Sequence, residues 1–571
     1  MEKQATIANL WRNAIAEQRD AAAYLHEVDG EWQPVTWADA GRTVDELANG
    51  LLALGVQKGD SFGVLARTSL EWALFDFALA LVGAVGAPIY ASSSKHDVLY
   101  LLQDSAAVGV LVEDEQQRAK VEGANVKHVL TFADLDGLRE RGRAYAAAHP
   151  DDLATRADSI DEDDLFTFIY TSGTTGPPKG CMIRHRNYYA MVQKGDELED
   201  RLTLPGDVML LYLPLAHNYG RLLHLSGAYI GFTIAFLADP TRTAAELPRV
   251  RPTIFPSVPR VYEKIYDVVV DRLGSGPAPK RAIARWAMSV GYRVSRLRQA
   301  GRPIPPLLAA QHSLADRLVY SQVKSRLGGR LRIANAGGAP LSRNVAEFFH
   351  AIDILILEGY GLSEVTTAAT VNRPGAFKFG TVGKPMPGVE IRIAEDGEIL
   401  IRSNTVFAGY HGDPEATRAV LDDEGFVHTG DVGHLDEDGF LVITDRKKDI
   451  IVTAGGKNVA PQNLENDLKA HRLISQALVV GDRLPFIAAL ITVDPEVASG
   501  VEPDELQARV QAAVDDVNRE RSGFEQIKRF AVLPREFAAD EDEVTPTLKL
   551  RRKVILEHFS GEVDALYSAP R

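Results

Sequence analysis

The sequence predicts an α/β protein with a large N-terminal domain of helix-covered, mostly parallel sheets, a β-rich subdomain and a small α+β C-terminal domain. Three observations predict this class. Helical patterns alternate with short β-rich runs up to about residue 380, closely spaced strands follow, and a segment with its own pattern begins at Asp445. The length of 571 residues is too great for one compact core, so several domain-sized units are expected.

The N-terminal part alternates between two patterns. Examples of its β-rich runs are residues 61–65, 108–112, 165–170 and 352–357, and helical patterns separate them. Such alternation is typical of parallel strands joined by helices. Two apolar segments, 70–90 and 222–238, contain charges or glycines, which favours buried helix and strand over a membrane span.

The β-rich subdomain covers about residues 380–444 and completes an N-terminal domain of residues 1–444. Its strand-like runs VEIRI, GEILI, GFVHTGDVG and DGFLVITD are separated by DG and EG turns. The remaining residues, 445–571, form the predicted C-terminal domain. They contain KKDIIV, a glycine turn at Gly455 and Gly456, a helix near 461–471, the strand QALVVG and a helix from Glu502.

Composition limits the classes of function. The chain is 45% apolar and 25% charged, which is typical of soluble globular proteins. A net charge of −15 argues against nonspecific nucleic-acid binding, so no nucleic-acid partner is expected. The single cysteine, Cys181, excludes a disulfide framework and a cysteine-based zinc site and favours a reducing, cytoplasmic compartment. The first residues lack the apolar core of a signal peptide.

One segment, residues 280–302, is strongly basic. Its lysine and arginines are interleaved with apolar residues in a helical pattern. A basic amphipathic helix can lie on a membrane surface, which would make the protein membrane-peripheral. An ordinary solvated surface helix is the commoner interpretation, and both stay open.

The stretch YTSGTTGPPKG, residues 170–180, has the composition of a phosphate-holding loop. Glycines let backbone N–H groups approach an anion, hydroxyls add donors, and Lys179 supplies positive charge. It is not a Walker loop, because Lys179 is followed by Gly180 rather than by serine or threonine. The alternative interpretation is a simple glycine- and proline-rich turn.

Other motifs are individually weak. In EGYGLSE, residues 358–364, the Tyr360 ring can stack on a purine and the Glu364 carboxylate can bind Mg²⁺. In HTGDVG, Asp431 stands in a predicted glycine-bounded turn and can accept ribose hydroxyls or bond its own backbone. Arg446, in DRKKD, can meet a ribose or phosphate or lie in solvent. Lys549 lies near the end of the chain, where a single lysine is usually exposed to solvent, so its residue type alone indicates no function.

Taken together, these stretches resemble the adenylate-forming superfamily of acyl-CoA synthetases, luciferases and adenylation domains. Eight motifs occur in the family's order, from Tyr170 to the motif that contains Lys549. They are YTSGTTGPPKG, LPLAHNYGR, NAGGAPLS, EGYGLSE, GEILIRSNTVFAGY, HTGDVG, DRKKDIIVTAGGKN and PTLKLRR. Within the superfamily, SVPRVYEKIY, TAGGKNVAPQNLE and TPTLKLRRK look most like long-chain fatty acyl-CoA synthetases.

The resemblance implies a two-step reaction with ATP, CoA and a fatty acid as substrates and Mg²⁺ as cofactor. The carboxylate attacks the α-phosphate of ATP, giving an acyl-adenylate and pyrophosphate. The CoA thiol then attacks the adenylate and releases AMP. Two alternatives stay open: a synthetase for another carboxylic acid or a carrier-protein acceptor, and a nucleotide sensor without catalysis.

The resemblance also implies roles for individual residues. The 171–176 loop and Lys179 would hold the β- and γ-phosphates, the 337–339 turn would line the adenine, Ser363 would contact the α-phosphate, and Asp431 with Arg446 would bind the ribose. The full nucleotide set is Thr171, Ser172, Gly173, Thr174, Thr175, Gly176, Lys179, Gly337, Gly338, Ala339, Tyr360, Gly361, Ser363, Asp431 and Arg446.

Four residues are implied to act at the reacting centre. Thr174 and Glu364 would reach Mg²⁺, and Lys549 would neutralise charge on the α-phosphate and carboxylate oxygens during adenylation. His217, in LPLAHNYGR, would lie near the acyl carboxylate, with a packed core histidine as an equal alternative. The small C-terminal domain would be mobile.

That mobility would give the C-terminal domain two poses. Lys448 occupies the family's hinge position, and in the second pose the Gly455–Gly456 turn would face the CoA tunnel. The sequence departs from the family pattern at Gly220, where many long-chain synthetases carry an acidic residue. Residues 214–221 and 229–236 are expected to shape the acyl pocket.

Overall fold

The computed structural model describes residues 4–171, 177–519, 521–538, 541, 543–545 and 550–568. Two large sheets, each mostly parallel and covered by helices, make up most of residues 24–385. The predicted α/β class is therefore confirmed. The strand expected at 352–357 begins only at Ile356, because the preceding residues form the turn that follows a helix.

The larger sheet contains the strands that precede the later motifs. Its central pairings are parallel, and antiparallel pairs stand at both ends. In spatial order its strands are β15 (Lys384–Pro385), β14 (Thr370–Val371), β13 (Ile356–Tyr360), β12 (Ile333–Ala336), β11 (Ile254–Ser257), β9 (Val208–Leu211), β10 (Thr233–Phe236), β1 (Tyr24–Val28) and β2 (Glu31–Val35).

The second sheet contains the strands on either side of the predicted phosphate loop. Only its last pair, β7 with β8, is antiparallel within the part of the chain described. In spatial order its strands are β6 (His128–Thr131), β5 (Ala107–Val112), β3 (Ser61–Ala66), β4 (Val85–Tyr90), β7 (Leu165–Thr171) and β8 (Lys179–Arg184).

Helices cover these sheets. They are α1 (Ile7–Ala16), α2 (Trp37–Ala53), α3 (Leu70–Val82), α4 (Lys95–Asp104), α5 (Glu115–Val121), α6 (Leu135–Ala148), α7 (Asp152–Asp158), α8 (His185–Asp196), α9 (Asn218–Ile230), α10 (Thr243–Val250), α11 (Pro259–Gly274), α12 (Ala278–Gln299), α13 (Pro306–Ala315), α14 (Ser321–Arg326) and α15 (Arg343–Ala351). Most of them share one large hydrophobic core with the strands, whereas α4 and α5 pack in a smaller cluster.

The apolar segment 70–90 is α3 followed by β4, as expected. The side chain of Ser69 caps the helix start by accepting from the Trp72 N–H, and Gly83 ends it at a φ of +67°. Almost every residue of α3 is buried, which explains its apolar composition. Over the ranges that the structure describes, none of the helices combines the length and the apolar character needed to cross a membrane.

The β-rich subdomain is a separate antiparallel sheet. Asp431 lies inside its strand β18, so the expectation of a turn at that residue is wrong. Cross-strand pairing to Arg446 accounts for the difference because it holds Asp431 in the strand, although Gly430 before it has a φ of +68° and the register shifts after Val432. The elements are β16 (Glu390–Ile393), β17 (Glu398–Arg402), α16 (Pro414–Val420), β18 (Val427–Leu435) and β19 (Leu441–Arg446).

The chain beyond Arg446 has two hydrophobic clusters of its own. They favour a separate C-terminal domain, and its boundary at residue 445 stays a prediction. The elements are β20 (Ile451–Val452), β21 (Asn458–Val459), α17 (Pro461–Lys469), β22 (Ile474–Val480), β23 (Ile487–Val493), α18 (Pro495–Ala498), α19 (Pro503–Arg519), β24 (Ile527–Val532), α20 (Arg552–His558) and α21 (Ser560–Ser568).

Candidate active site

The predicted phosphate loop connects two paired strands. Thr171 at the end of β7 lies opposite Lys179 at the start of β8, so both ends of the loop are held together. The predicted residues between them, Ser172, Gly173, Thr174, Thr175 and Gly176, lie outside the described residues.

Lys179 contacts an acidic and an aromatic side chain. Its Nζ lies 3.1 Å from Asp413 Oδ2 and 5.5 Å from the centre of the Tyr410 ring. The same tyrosine donates its hydroxyl hydrogen to Glu364 Oε1 at 2.6 Å. Tyr410 therefore links Lys179 to Glu364, and burial followed by the Glu364 charge raises the pKa of its hydroxyl.

Tyr410 was not predicted as a site residue, although it ends the quoted motif GEILIRSNTVFAGY. Its backbone bridges to Cys181 in β8, which places the end of that motif beside the loop. Residue type and spacing carry no signal of this contact. Only the pairing of two distant chain segments brings the tyrosine to the site.

Glu364 provides the described half of the predicted magnesium site. Mg²⁺ is commonly held by one or two carboxylates together with substrate phosphates and water. Within the described ranges, no group of three or more His, Cys, Asp or Glu residues is placed to hold a metal ion. One carboxylate linked through Tyr410 to Lys179 fits the mode in which a nucleotide supplies the other ligands, and the metal-binding roles of Glu364 and Thr174 stay predictions.

Three predicted nucleotide residues meet at the edge of the β-rich subdomain. Tyr360, at the end of β13, donates its hydroxyl hydrogen to Asp431 Oδ2 at 2.6 Å. Arg446 Nε lies 3.1 Å from Asp431 Oδ1, because the two residues pair across β18 and β19. The Asp431 side chain is buried, whereas the Arg446 side chain is 46% exposed. This arrangement fixes the carboxylate and leaves the guanidinium accessible.

The predicted adenine turn, Gly337 to Ala339, follows β12. Gly337 N–H donates to the Ser257 carbonyl at 3.3 Å, and Gly338 adopts a φ of +83°, which favours glycine. A Cβ at Gly337 would lie 3.4 Å from the ring of Tyr219. The turn therefore lies against the residue that follows His217 and Asn218 in LPLAHNYGR.

Glu358 holds the far end of that turn and was not predicted as a site residue. Its Oε1 accepts from the Leu341 N–H at 2.9 Å, and the residue is 7% exposed. Burial raises the pKa of Glu358 to about 7, and the bond from Leu341 opposes the rise. Glu358 opens the motif EGYGLSE, where only the later residues had been singled out.

Glu358 is expected to make stability depend on pH. Its carboxyl group keeps its proton in the folded chain up to about pH 7 and loses it near 4.5 when unfolded. The folded state therefore binds more protons between these values, and its contribution to stability falls as pH rises through this window. Relative to Glu358→Gln, the wild type should lose roughly 3 kcal/mol at most between about pH 4.5 and about pH 7.

Urea unfolding of both proteins across this pH range measures the effect. Glutamine keeps the oxygen that accepts from Leu341, so the packing is matched. The exposed Glu437→Gln serves as a control that should follow the wild type. Parallel pH profiles for wild type and Glu358→Gln would rule out the assignment.

His217 caps a helix. It is the N-cap of α9, and its Nδ1 accepts from the Tyr219 N–H at 3.1 Å. The next residue, Asn218, donates through Nδ2 to the Ser363 carbonyl at 3.5 Å. LPLAHNYGR and EGYGLSE are thus adjacent, and the predicted role of His217 near the acyl carboxylate stays a prediction.

Two glycines in these motifs are required by close backbone contacts. A Cβ at Gly361 would lie 1.7 Å from the Thr367 carbonyl oxygen, and a Cβ at Gly220 would lie 2.5 Å from the Pro214 carbonyl oxygen. The acidic residue that many long-chain synthetases carry at the position of Gly220 does not fit this backbone. The departure at Gly220 is therefore a packing requirement.

The predicted hinge joins the β-rich subdomain to the C-terminal segment. Lys448 lies two residues beyond the end of β19 and is exposed at the surface, and partial burial of its amine lowers the pKa of that group. Asp445 accepts from the Arg446 N–H at 2.6 Å and from the Gln462 N–H at 3.1 Å. The buried Asp445 carboxylate therefore hydrogen-bonds to the chain before Lys448, at Arg446, and to the chain after it, at Gln462.

The other predicted C-terminal residues are only partly described. Gly455 and Gly456 form the exposed turn between β20 and β21, and Gly456 has a φ of +70°. Lys549 lies outside the described residues. The roles of all three in catalysis and CoA binding stay predictions.

Comparisons with known proteins cover nearly the whole chain. The sequence pattern described as AMP-binding enzyme matches residues 11–411, and that described as AMP-binding enzyme C-terminal domain matches residues 448–571. The long-chain-fatty-acid–CoA ligase FadD15 of Mycobacterium bovis is 40% identical over 96% of this chain and 95% of its own. The long-chain-fatty-acid–CoA ligase ACSBG2 of Xenopus laevis is 28% identical over 98% and 84%.

Solved structures share the fold. The adenylation domain of a carboxylate reductase from Mycobacterium chelonae has a TM-score of 0.79 at 23% identity, covering 99% of this chain and 91% of that one. The anthranilate CoA ligase AuaEII in complex with anthranoyl-AMP has a TM-score of 0.74 at 20% identity, covering 99% of both chains. At these identities the likeness concerns the fold alone.

Proposed function

The chain belongs to the family of AMP-binding enzymes, and on that premise we propose that it is a long-chain fatty acid–CoA ligase. The observation that carries the proposal is the 40% identity to a long-chain-fatty-acid–CoA ligase along 96% of the chain. The reaction converts fatty acid, ATP and CoA into acyl-CoA, AMP and pyrophosphate. An acyl-adenylate is the intermediate.

In the first half-reaction a carboxylate oxygen of the fatty acid bonds to the α-phosphorus of ATP, and the bond to pyrophosphate breaks. The described residues position the nucleotide for this step. Asp431, fixed by Tyr360 and Arg446, accepts ribose hydroxyls, and Lys179 meets the phosphates once it leaves Asp413. Such phosphoryl chemistry depends mainly on positioning and charge neutralisation.

Glu364 with Thr174 would hold Mg²⁺, which neutralises phosphate charge when bound. Tyr410 orients the Glu364 carboxylate through its 2.6 Å hydrogen bond. The tyrosine therefore limits the rotation of that side chain and leaves its second oxygen available.

In the second half-reaction the CoA sulfur bonds to the acyl carbon, AMP leaves, and the thiol proton is released. This step requires the C-terminal domain to turn about Lys448. The domain touches α11 through polar contacts, in which Arg260 donates to Ser475 Oγ at 3.0 Å and Arg472 lies 2.8 Å from Asp271. Polar contacts of this kind are typical of domains that move relative to each other.

Lys448→Pro is expected to slow the second half-reaction about tenfold or more and the first by much less, because proline fixes φ at the hinge. Acyl transfer to CoA from a supplied acyl-adenylate and acid-dependent pyrophosphate release measure the two steps. Lys448→Ala, which keeps the backbone free, is the matched control. Unchanged thioester formation in the proline variant would contradict the hinge assignment.

The proposed reaction is tested with acids of graded chain length, with and without CoA. Pyrophosphate release and thioester formation are measured together. A long-chain ligase forms thioesters with free CoA and prefers long acids. Adenylation without transfer to free CoA would instead favour a carrier-protein acceptor, and the absence of acid-dependent pyrophosphate release would refute both.

A further inference from the structure

Helix α11 meets the C-terminal domain at two places away from the hinge. Near its start Arg260 contacts Ser475 of β22, and about three turns later the side chain of Asp271 lies 2.8 Å from that of Arg472. The two hydrophobic clusters of the C-terminal domain consist of residues 451–567, so its apolar core forms within the domain itself. The contacts to α11 are therefore polar ones that can break without opening a core.

Ser475 is displaced from the regular pairing of its strand. The residues on either side of it pair with two consecutive residues of β23, Val493 and Thr492, so Ser475 is the extra residue of a β-bulge. A bulged residue leaves the ladder of strand hydrogen bonds and can be directed to another partner. Ser475 is 6% exposed, and both its carbonyl and its hydroxyl oxygen accept hydrogen bonds from Arg260.

One guanidinium group makes both of these bonds. Arg260 Nη1 donates to the Ser475 carbonyl, and its Nη2 donates to Ser475 Oγ at 3.0 Å. The Ser475 hydroxyl in turn donates to Glu536 Oε1, so a carboxylate supports the serine from within its own domain. A planar guanidinium that binds one residue twice fixes the direction of the contact as well as its distance. Arg260 and the bulge together form a specific docking contact.

Opposite charges face each other along the rest of this helix face. Glu263 and Asp267 follow Arg260 on α11 at spacings of three and four residues, which places the three on one side of the helix. Burial raises the pKa of Glu263, and the Lys469 charge opposes that rise. Burial also raises the pKa of Asp267, and there the Arg472 charge opposes it. The helix face is therefore complementary in charge to the domain that lies against it.

The glycine turn of the C-terminal domain is exposed in this arrangement. Residues 454–458, which include Gly455 and Gly456, all lie at the surface. In the second pose of the proposed reaction this turn would face the CoA tunnel, where the surrounding protein would cover it. The contacts to α11 therefore fit the first pose, in which adenylation takes place.

We propose that Arg260 is a positioning residue of the ligase reaction. Through the bulged Ser475 it docks the C-terminal domain on α11 in the first pose, and this contact breaks before the domain turns about Lys448. The inference rests on the proposed function, which supplies the two poses. Because contacts made in one pose shift the population towards that pose, Arg260 sets how readily the enzyme proceeds from adenylation to acyl transfer.

Arg260→Ala is expected to raise the rate of acyl transfer from a supplied acyl-adenylate, at low CoA concentration, roughly five- to tenfold. The reason is that more molecules then occupy the pose that accepts CoA, and this fraction scales the apparent affinity for CoA. Adenylation, measured as acid-dependent pyrophosphate release, should stay unchanged or fall. Loss of folded protein would lower both rates, so a rise in the ratio of transfer to adenylation distinguishes positioning from a merely structural role.

Limited proteolysis measures docking without any substrate. The linker carries Arg446, Lys447 and Lys448, all exposed, so trypsin can cut there. A domain released from α11 should be cut at the linker roughly fivefold faster in Arg260→Ala than in the wild type, because cleavage follows the population of the open form. Altered cleavage in a protein without ligase activity would refute the proposed function alone. Unchanged cleavage in an active ligase would refute the docking role alone.

A second pair of variants tests the same face far from the start of the helix. Asp271→Arg places a positive charge opposite Arg472 and should change both readouts in the same direction as Arg260→Ala. Asp271→Arg/Arg472→Asp restores opposite charges and should return both readouts towards the wild type. The Asp271 and Arg472 side chains are 58% and 51% exposed, so these changes leave the core intact.

Arg272→Ala is the matched control, because it removes the same charge from an exposed position of the same helix. It should behave as the wild type in both readouts. The proposal is overturned if Arg260→Ala lowers both half-reactions equally, if the control changes them as much, or if the charge-reversed double variant stays as far from the wild type as Asp271→Arg.

Discussion

Lys549→Ala is expected to slow formation of the acyl-adenylate about 10²–10³-fold while sparing the transfer of a supplied acyl-adenylate to CoA. In the family pattern that PTLKLRR matches, this lysine neutralises the charge that develops on the α-phosphate and carboxylate oxygens. Loss of one such charged group costs about 10²–10³-fold in rate at comparable sites. The second half-reaction has no pyrophosphate to expel and needs no charge at that position.

The two half-reactions are measured separately. Acid-dependent pyrophosphate release reports adenylation, and thioester formation from purified acyl-adenylate reports transfer. Lys553→Ala is the matched control, because Lys553 lies four residues further along, with a side chain that is 76% exposed. Equal loss of both half-reactions would remove Lys549 from the adenylation step.

The sequence motifs singled out Tyr360, Asp431 and Arg446, but they did not show that the three side chains contact one another. Tyr360, Asp431 and Arg446 were each weak candidates alone, and only the order of the motifs made them specific. Their contact follows from the register of β18 against β19 and from the end of β13. The register in which two strands pair depends on the whole sheet, so it cannot be predicted from a short sequence motif.

The residues that were missed share one property. Glu358 and Tyr410 act on other site residues: one holds the Leu341 N–H and the other holds the Glu364 carboxylate. A residue that positions another has no spacing rule, because its partner lies in a distant segment. Both stood inside motifs already singled out, and only their contacts distinguish them from their neighbours.

Arg221 is the opposite case. It belongs to a motif that was expected to line the site, but its side chain forms a buried ion pair in the core. It lies in the stretch expected to shape the acyl pocket, yet its side chain is 1% exposed and points into the core. Its Nη1 donates to Thr167 Oγ1 at 2.7 Å, and its Nε donates to Asp76 Oδ2 at 3.1 Å. The arginine therefore joins α9 to α3 and β7 inside the core.

Asp76→Ala is expected to destabilise the protein by about 3–5 kcal/mol, because it leaves the Arg221 charge buried without its carboxylate. The guanidinium cannot escape the cost by losing its proton, since arginine stays charged in proteins. Burial raises the pKa of Asp76, and the Arg221 charge opposes that rise. Chemical unfolding of wild type and variant measures the difference.

Two comparisons separate the loss of a buried charge partner from the loss of packing volume. Asp76→Leu/Arg221→Met removes both charges and keeps apolar volume, so it should recover a large part of the stability lost in Asp76→Ala. Asp158→Ala breaks the exposed pair with Arg12 and should cost less than about 1 kcal/mol. If the double variant is as unstable as Asp76→Ala, packing is the cause. If it recovers, the stability lost in Asp76→Ala comes from the Arg221 charge that is left buried without its carboxylate.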